Sequence, residues 1–207
     1  MGASEPVPNL SAAANSIRSG FITIDAKTNT IRQIIAVQHN PNTISRTLDG
    51  AAEAPPGSEP HEQLTVQLAL DAITPPGPGQ TGVYPLLSAL ELLLYVPAVP
   101  ANQLPLIVLV WGSRRVLPVR ILQLRIVEQS FDVQLNPVRA EIAVTLKILK
   151  EADLAPGSSG RVLWDAHVRQ LQALAATLPP ATLADLGLTA VPGQENPAGG
   201  REERTQH

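Results

Sequence analysis

With no cysteine in its 207 residues, the chain can hold neither a disulfide nor a thiolate-bound metal. Apolar residues make up 44% of it but aromatics only 3%, so any core must be aliphatic, built from Leu, Val, Ile and Ala. The net charge of −3 is too small to argue for a nucleic-acid or membrane partner.

Residues 1–17 are small and polar without a period and read as a flexible arm. They lack a basic stretch followed by an apolar run, so no signal peptide is expected and the protein is expected to be cytoplasmic when made. The sequon Asn9-Leu10-Ser11 is then a chance match. A domain over 18–155 follows. Phe21–Asp25 alternates, Asp25–Thr30 supplies turn residues, and Ile31–Gln38 reads as the returning strand of a hairpin. Asn40-Pro41 stops it, because proline has no amide hydrogen to give a ladder.

The segment 51–60 has nothing to pack and is expected to be an exposed loop, as is Thr74–Gln80. Between them Leu64, Val66, Leu68 and Leu70 share one face of a half-buried strand. Over Val83–Val96 the period changes: Leu86, Leu87, Leu90, Leu93 and Leu94 predict one amphipathic helix packed on a sheet. Thr81 is a candidate cap, Pro85 fits the first turn, and Pro97 follows the end.

Leu106–Trp111 is continuously apolar and predicts a central strand covered on both faces. Gly112-Ser113 breaks it before Arg114-Arg115. Val116–Glu128 predicts the next strand, with Leu122, Leu124 and Ile126 inward and Gln123, Arg125 and Val127 outward. The adjacent pair Ile121-Leu122 shifts the phase and points to a β-bulge. After Asn136-Pro137, Ile142, Val144, Leu146 and Ile148 alternate with polar or small residues. Strands, one helix, then strands argue for an α+β, mainly β domain rather than βαβ units. Ala155–Gly160 reads as a hinge, and 156–190 as a helical extension with Trp164, Val168, Leu171, Ala175 and Leu178 on one stripe. Pro179-Pro180 begin a short turn closed at Gly187, and 191–207 is polar and expected to be disordered.

Charge is segregated. Thr47–Gln103 carries six acids and no Lys or Arg, whereas Leu104–Lys150 carries seven bases against three acids. The two segments can pair within one subunit or head-to-tail between subunits.

The sequence offers little to chemistry. The four histidines, at 39, 61, 167 and 207, show no metal-ligand spacing, and phosphate-binding glycine motifs and GxSxG are absent. Glu128 and Asp132 read as a solvated face, and Arg114-Arg115 as a salt-bridge or interface feature rather than a phosphate site. Trp111 either ends a core strand or anchors a subunit boundary. No catalytic, cofactor or metal residue is nominated, and the chain is expected not to be an enzyme.

Taken in order, Gln38-His39-Asn40-Pro41, Leu64-Thr65-Val66-Gln67-Leu68 with Asp71, the helix Leu86–Leu94, Pro105–Trp111-Gly112, Phe131, Pro137-Val138-Arg139-Ala140 and Leu149–Leu154 form a pattern. It resembles the tube-domain family of contractile injection systems, phage-tail-like particles that drive a tube and spike into a target cell. Asparagine-proline after an early strand, a strand of the LxLxL…D type with Val66 at its middle position, PxxxxxWG and PVRAxxxxxL all occur in the family's order, over roughly residues 20–155. The resemblance implies a tail-tube-like antiparallel two-sheet barrel with a packed helix. It further implies a homohexameric ring at the baseplate end, whose sheets join into one inner barrel between the inner tube protein and the spike protein. On that reading the chain is a tube initiator or spike-to-tube adaptor, without membrane insertion. Ile35 and Val37 stand where the family is often aromatic, and a helix and polar tail stand where many members carry a LysM-type module. The candidate interface or fold-marking residues are Asn40, Pro41, Trp111, Gly112, Arg114, Arg115, Pro137 and Arg139. The competing expectation is a monomeric small-ligand or protein-binding module, or an enzyme of unrecognised class, with its site on loops 49–62 and 74–82.

Overall fold

The computed structural model describes residues 19–37, 39–50, 61–72, 81–95 and 104–191. The expected arm over 1–17, the loops 51–60 and 74–80, Gln38, Pro97 and the tail from 192 lie outside them. By its internal contacts the chain divides into Met1–Gln170 and Leu171–His207.

Among the described residues, the first unit is built on seven antiparallel strands. They are β1 (Gly20–Ile24), β2 (Ile31–Ala36), β3 (Ile44–Asp49), β4 (His61–Asp71), β5 (Leu106–Trp111), β6 (Arg115–Phe131) and β7 (Pro137–Ile148). Helix α1 (Tyr84–Leu92) precedes β5, and α2 (Ser159–Ala175) follows β7. The fold is α+β and mainly β, as expected. The strands form a single open sheet in the order β2-β1-β5-β6-β7-β4-β3, where a two-sheet barrel was expected.

The reason lies in β6, which serves both halves. Arg115–Val119 pairs with β5, and from Val119 onward the strand pairs with β7. Just past that change of partner the register slips between Ile121 and Gln123, leaving Leu122 as the bulged residue. A strand that bends at a bulge can carry one ladder around a corner, so two faces meet without a break in hydrogen bonding. Residues from both ends of the strand order accordingly share one buried cluster: Phe21, Ile35, Leu109 and Leu117 with Leu64, Val66, Ile142, Val144 and Leu146.

The bulge was legible in the apolar pair Ile121-Leu122, but Leu122 was expected to face inward. It is exposed, because the slip that keeps Ile121 in the core turns its neighbour out. The β1–β2 hairpin, the inward face of β4 and the alternation of β7 all form as expected. In β5, consecutive Val108 and Leu109 are both buried, so the strand is covered on both faces there.

Helix α1 sets Leu87 and Leu90 into the core and has proline in its first turn. Its N-cap is Val83, with no side-chain cap, rather than Thr81. Val83 N–H instead donates to the Pro137 carbonyl at 3.0 Å, tying the helix start to the start of β7. Strand β3 was not anticipated, and β4 begins three residues before Leu64. In the second unit, Leu183–Leu186 forms a 3-10 turn capped by Thr182 and closed by Gly187 at φ +71°.

Candidate functional site

The eight nominated residues fall at three places. Asn40 follows β2 and works on the fold: its Oδ1 accepts from the Ser19 N–H at 2.9 Å and the Ser19 hydroxyl at 3.2 Å. Val37 N–H donates to the Ser19 carbonyl at 2.9 Å, so Asn40 fastens the open end of the β1–β2 hairpin, opposite its Asp25–Thr30 turn.

Trp111, Gly112, Arg114 and Arg115 come together at the β5–β6 turn. Trp111 ends β5 opposite Arg115, half-buried and packed against the core, so it is not a wholly buried core residue. Gly112 has φ +67°, which a side chain would strain. Arg114 projects from the turn, exposed, while Arg115 is half-buried at the start of β6. Neither arginine has a described carboxylate within ion-pairing distance.

Pro137 and Arg139 open β7. Pro137 is buried at the first strand position, where no ladder donor is required of it. Arg139 Nε donates to Asp71 Oδ1 at 2.5 Å across the β4–β7 pair, and this bond with the aspartate charge raises its pKa. This pair joins the basic segment to the acidic one inside a single chain.

Two wider surfaces complete the picture. The sheet is open, so β2 and β3 each present an edge without a strand partner among the described residues. Monomeric proteins blunt such edges with charge, proline or cover. Here β2 carries Ile31 and Ile34 at 59% and 65% exposure with Arg32 as its single charge, while β3 carries an exposed Leu48 beside two charges, Arg46 and Asp49. The second surface is the outer face of β3, β4, β7 and the distal part of β6. Register places Ser45, Thr47, Gln63, Thr65, Gln67, Ala143, Thr145 and Gln123 on it, with Asp71, Arg139, Glu141, Lys147 and Arg125. All are exposed or half-buried, giving a broad polar face of mixed charge.

A third feature was missed by sequence reasoning. Glu62 at 4% exposure lies on the core side of β4 and takes Arg46 Nε of β3 at 2.5 Å. Beside this pair α2 buries Trp164 and His167, their ring centroids 5.8 Å apart. Lys150 Nζ lies 5.6 Å from the Trp164 ring centroid, within the range of a cation–π contact. Burial pushes the His167 imidazole below its ordinary value; Glu62 opposes this, while Arg46 and Arg115 add to it. The signal available was weak: Trp164 was on the predicted stripe, and His167 is only three positions away.

A cavity of about 860 Å³ opens between the β1–β2 turn, the starts of β5 and α2, and the end of α1. Leu93, Leu106, Ile107, Ile121 and Leu154 line it, with the Asp25–Arg32 ion pair and Arg120. Among the described residues no group of three histidine, aspartate or glutamate side chains could hold a metal ion. No described helix is long and apolar enough to cross a membrane. Of the alternative loop site, 51–60 and 74–80 lie outside the described residues. No model of a known protein family matches the chain, and none of the curated proteins matches it.

Proposed function

We propose that the chain is a structural subunit of a contractile injection system, forming a ring at the baseplate end that joins the inner tube to the spike. The observation that carries the reading is the pair of open sheet edges. An unpaired edge on β3 and an apolar one on β2 with a single charge are what a chain needs if its sheet continues into a neighbour, because strand addition satisfies the ladder and covers Ile31 and Ile34. Edge β2 of one copy against edge β3 of the next is a heterologous contact, and such contacts close into rings when the rotation allows. In this reading the barrel belongs to the ring of six, each copy supplying one open sheet. The ordered motifs from Asn40-Pro41 to Pro137-Val138-Arg139-Ala140 support the same assignment.

The test is the mass and shape of the purified protein by light scattering and electron microscopy, alone and with tube and spike proteins. Ring-sized particles are expected. A strictly monomeric species that ignores both partners overturns the proposal.

The cavity favours a second reading, a monomeric binding module, since 860 Å³ is within the size of small-ligand sites. Sheath, tube and spike genes beside this one favour the ring; isolated metabolic neighbours favour the module.

A further inference from the structure

The contact between α2 and the strands beneath it has an unusual composition. Trp164, at 7% exposure, belongs to the central buried cluster, and His167, at 8%, lies one turn further on the same side of the helix. Val168 packs beside them. The charged groups around this pair come from four places. Glu62 comes from β4, Arg46 from β3 and Arg115 from β6, and Lys150, just after β7, stands over the Trp164 ring. Around the imidazole itself one carboxylate therefore faces two guanidiniums, and it is already bonded to Arg46. On α2 itself, Arg161 is held by Asp165 at 2.9 Å and by Glu151 at 2.6 Å, and Arg169 is exposed. None of these supplies a further anion to the imidazole.

We infer that the docking of α2 is an acid-released latch: His167 seats the helix only while its imidazole is neutral, and protonation frees the stretch Ser159–Gln170 from the strands. A neutral imidazole packs against tryptophan at little cost. A protonated one adds a third cation beside Arg46 and Arg115, facing a single carboxylate that is already engaged, and a charge drawn largely out of water without its own partner is disfavoured. Trp164 and Val168, which α2 sets in or against the buried cluster, do not titrate, so on the helix's own side of the contact the response belongs to His167.

The direction follows from linkage. The unfolded or undocked histidine takes up its proton near the ordinary value of 6.5, while the docked one does so only at lower pH. The docked state then binds fewer protons in that window, and its stability is full above 6.5 and is lost as pH falls through the docked value. His39 and His61 are both exposed and lie on other elements.

The test uses the full chain with Trp111→Phe, leaving Trp164 as the sole tryptophan reporter. Trp164 emission and hydrogen exchange at residues 163–170, corrected for intrinsic rates, are followed from about pH 7.5 to about pH 5. Emission should shift to the red and α2 exchange should speed up about ten-fold per unit by which the docked and free histidine values differ. Exchange in β4 and β7 should hold, which separates release of the helix from acid unfolding. The response should reverse on raising the pH and vanish in His167→Gln. In Arg115→Gln, with one cation fewer, it should persist but weaken. A flat wild-type profile overturns the inference, as does an undiminished acid response in His167→Gln. Should that variant fail to fold, an undiminished response in Arg115→Gln overturns it equally.

Discussion

Asp25 organises the β1–β2 turn by accepting from two backbone amides, Thr28 N–H at 2.9 Å and Lys27 N–H at 2.7 Å, and from Arg32 Nε at 2.8 Å. The two amide bonds and then the guanidinium hold its carboxyl at about 2, against an ordinary 3.8. A depressed carboxylate contributes its stability above the unfolded value and loses it as pH falls through the folded one. The hairpin should therefore keep its turn through the acid range where ordinary aspartates have already titrated. Carboxyl chemical shifts of Asp25 should show a midpoint near 2, and one at the ordinary value would mean the amide bonds are not made. Gly82 is a second residue with a defined duty. It has φ +58°, and a methyl group there would run into the Pro137 carbonyl, which is the acceptor for Val83 N–H. Gly82→Ala should cost about 1–3 kcal/mol from the strained backbone alone, read as a lower urea midpoint with an unchanged slope.

At the scale of elements, the bulge in β6 makes a sharp prediction because it sends two adjacent aliphatic residues to different environments. Ile121 is 7% exposed and Leu122 is 46%. Ile121→Ala should cost about 2–4 kcal/mol, as buried truncations do, and Leu122→Ala less than about 1 kcal/mol. Equal costs in denaturant melts would mean the register runs unbroken. The bulge was readable because two consecutive apolar residues cannot both sit on the inner face of a period-two strand. Strand β3 was not readable for the converse reason. Ile44, Arg46 and Leu48 share the face of β4's buried residues although none of them is itself buried, and a charge in the middle erases the apolar alternation. What holds Arg46 on that face is the buried Glu62, sixteen residues along on β4, and β4's own start was obscured by that carboxylate. An ion pair between two strands leaves no trace in either strand's hydrophobic pattern. His167 was hidden similarly: its partners come from β3, β4 and β6, and helical periodicity identifies a face without saying what lies under it. The joining of two halves through β6 was equally hidden, since partner exchange along one strand is a property of the pairing and not of the strand.

For the whole molecule, the decisive question is whether a second copy continues the sheet past β2 and β3. If copies join edge to edge, a charge placed on an edge should break the assembly without touching the fold. Ile34 suits the purpose, being exposed and paired inward only to Ile22 of β1. Ile34→Lys should leave the thermal melt of the subunit within about 0.5 kcal/mol of wild type, as surface changes do, while lowering the assembled fraction at equal concentration. The β5–β6 turn provides the companion measurement. Arg114 is exposed without a described carboxylate within ion-pairing distance, whereas Arg115 is half-buried near His167. Reversing Arg114 to Glu therefore tests charge between subunits cleanly, and reversing Arg115 also disturbs the seat of α2. If the acidic segment of one copy meets this turn on the next, Arg114→Glu should weaken assembly, most visibly at low salt, where exposed charges are least screened. Assembly that is unchanged by Arg114→Glu but lost in Ile34→Lys would place the joint at the sheet edge alone. Arg139, already bonded to Asp71 within its own chain, would then be a fold residue in the ring as it is in the single subunit.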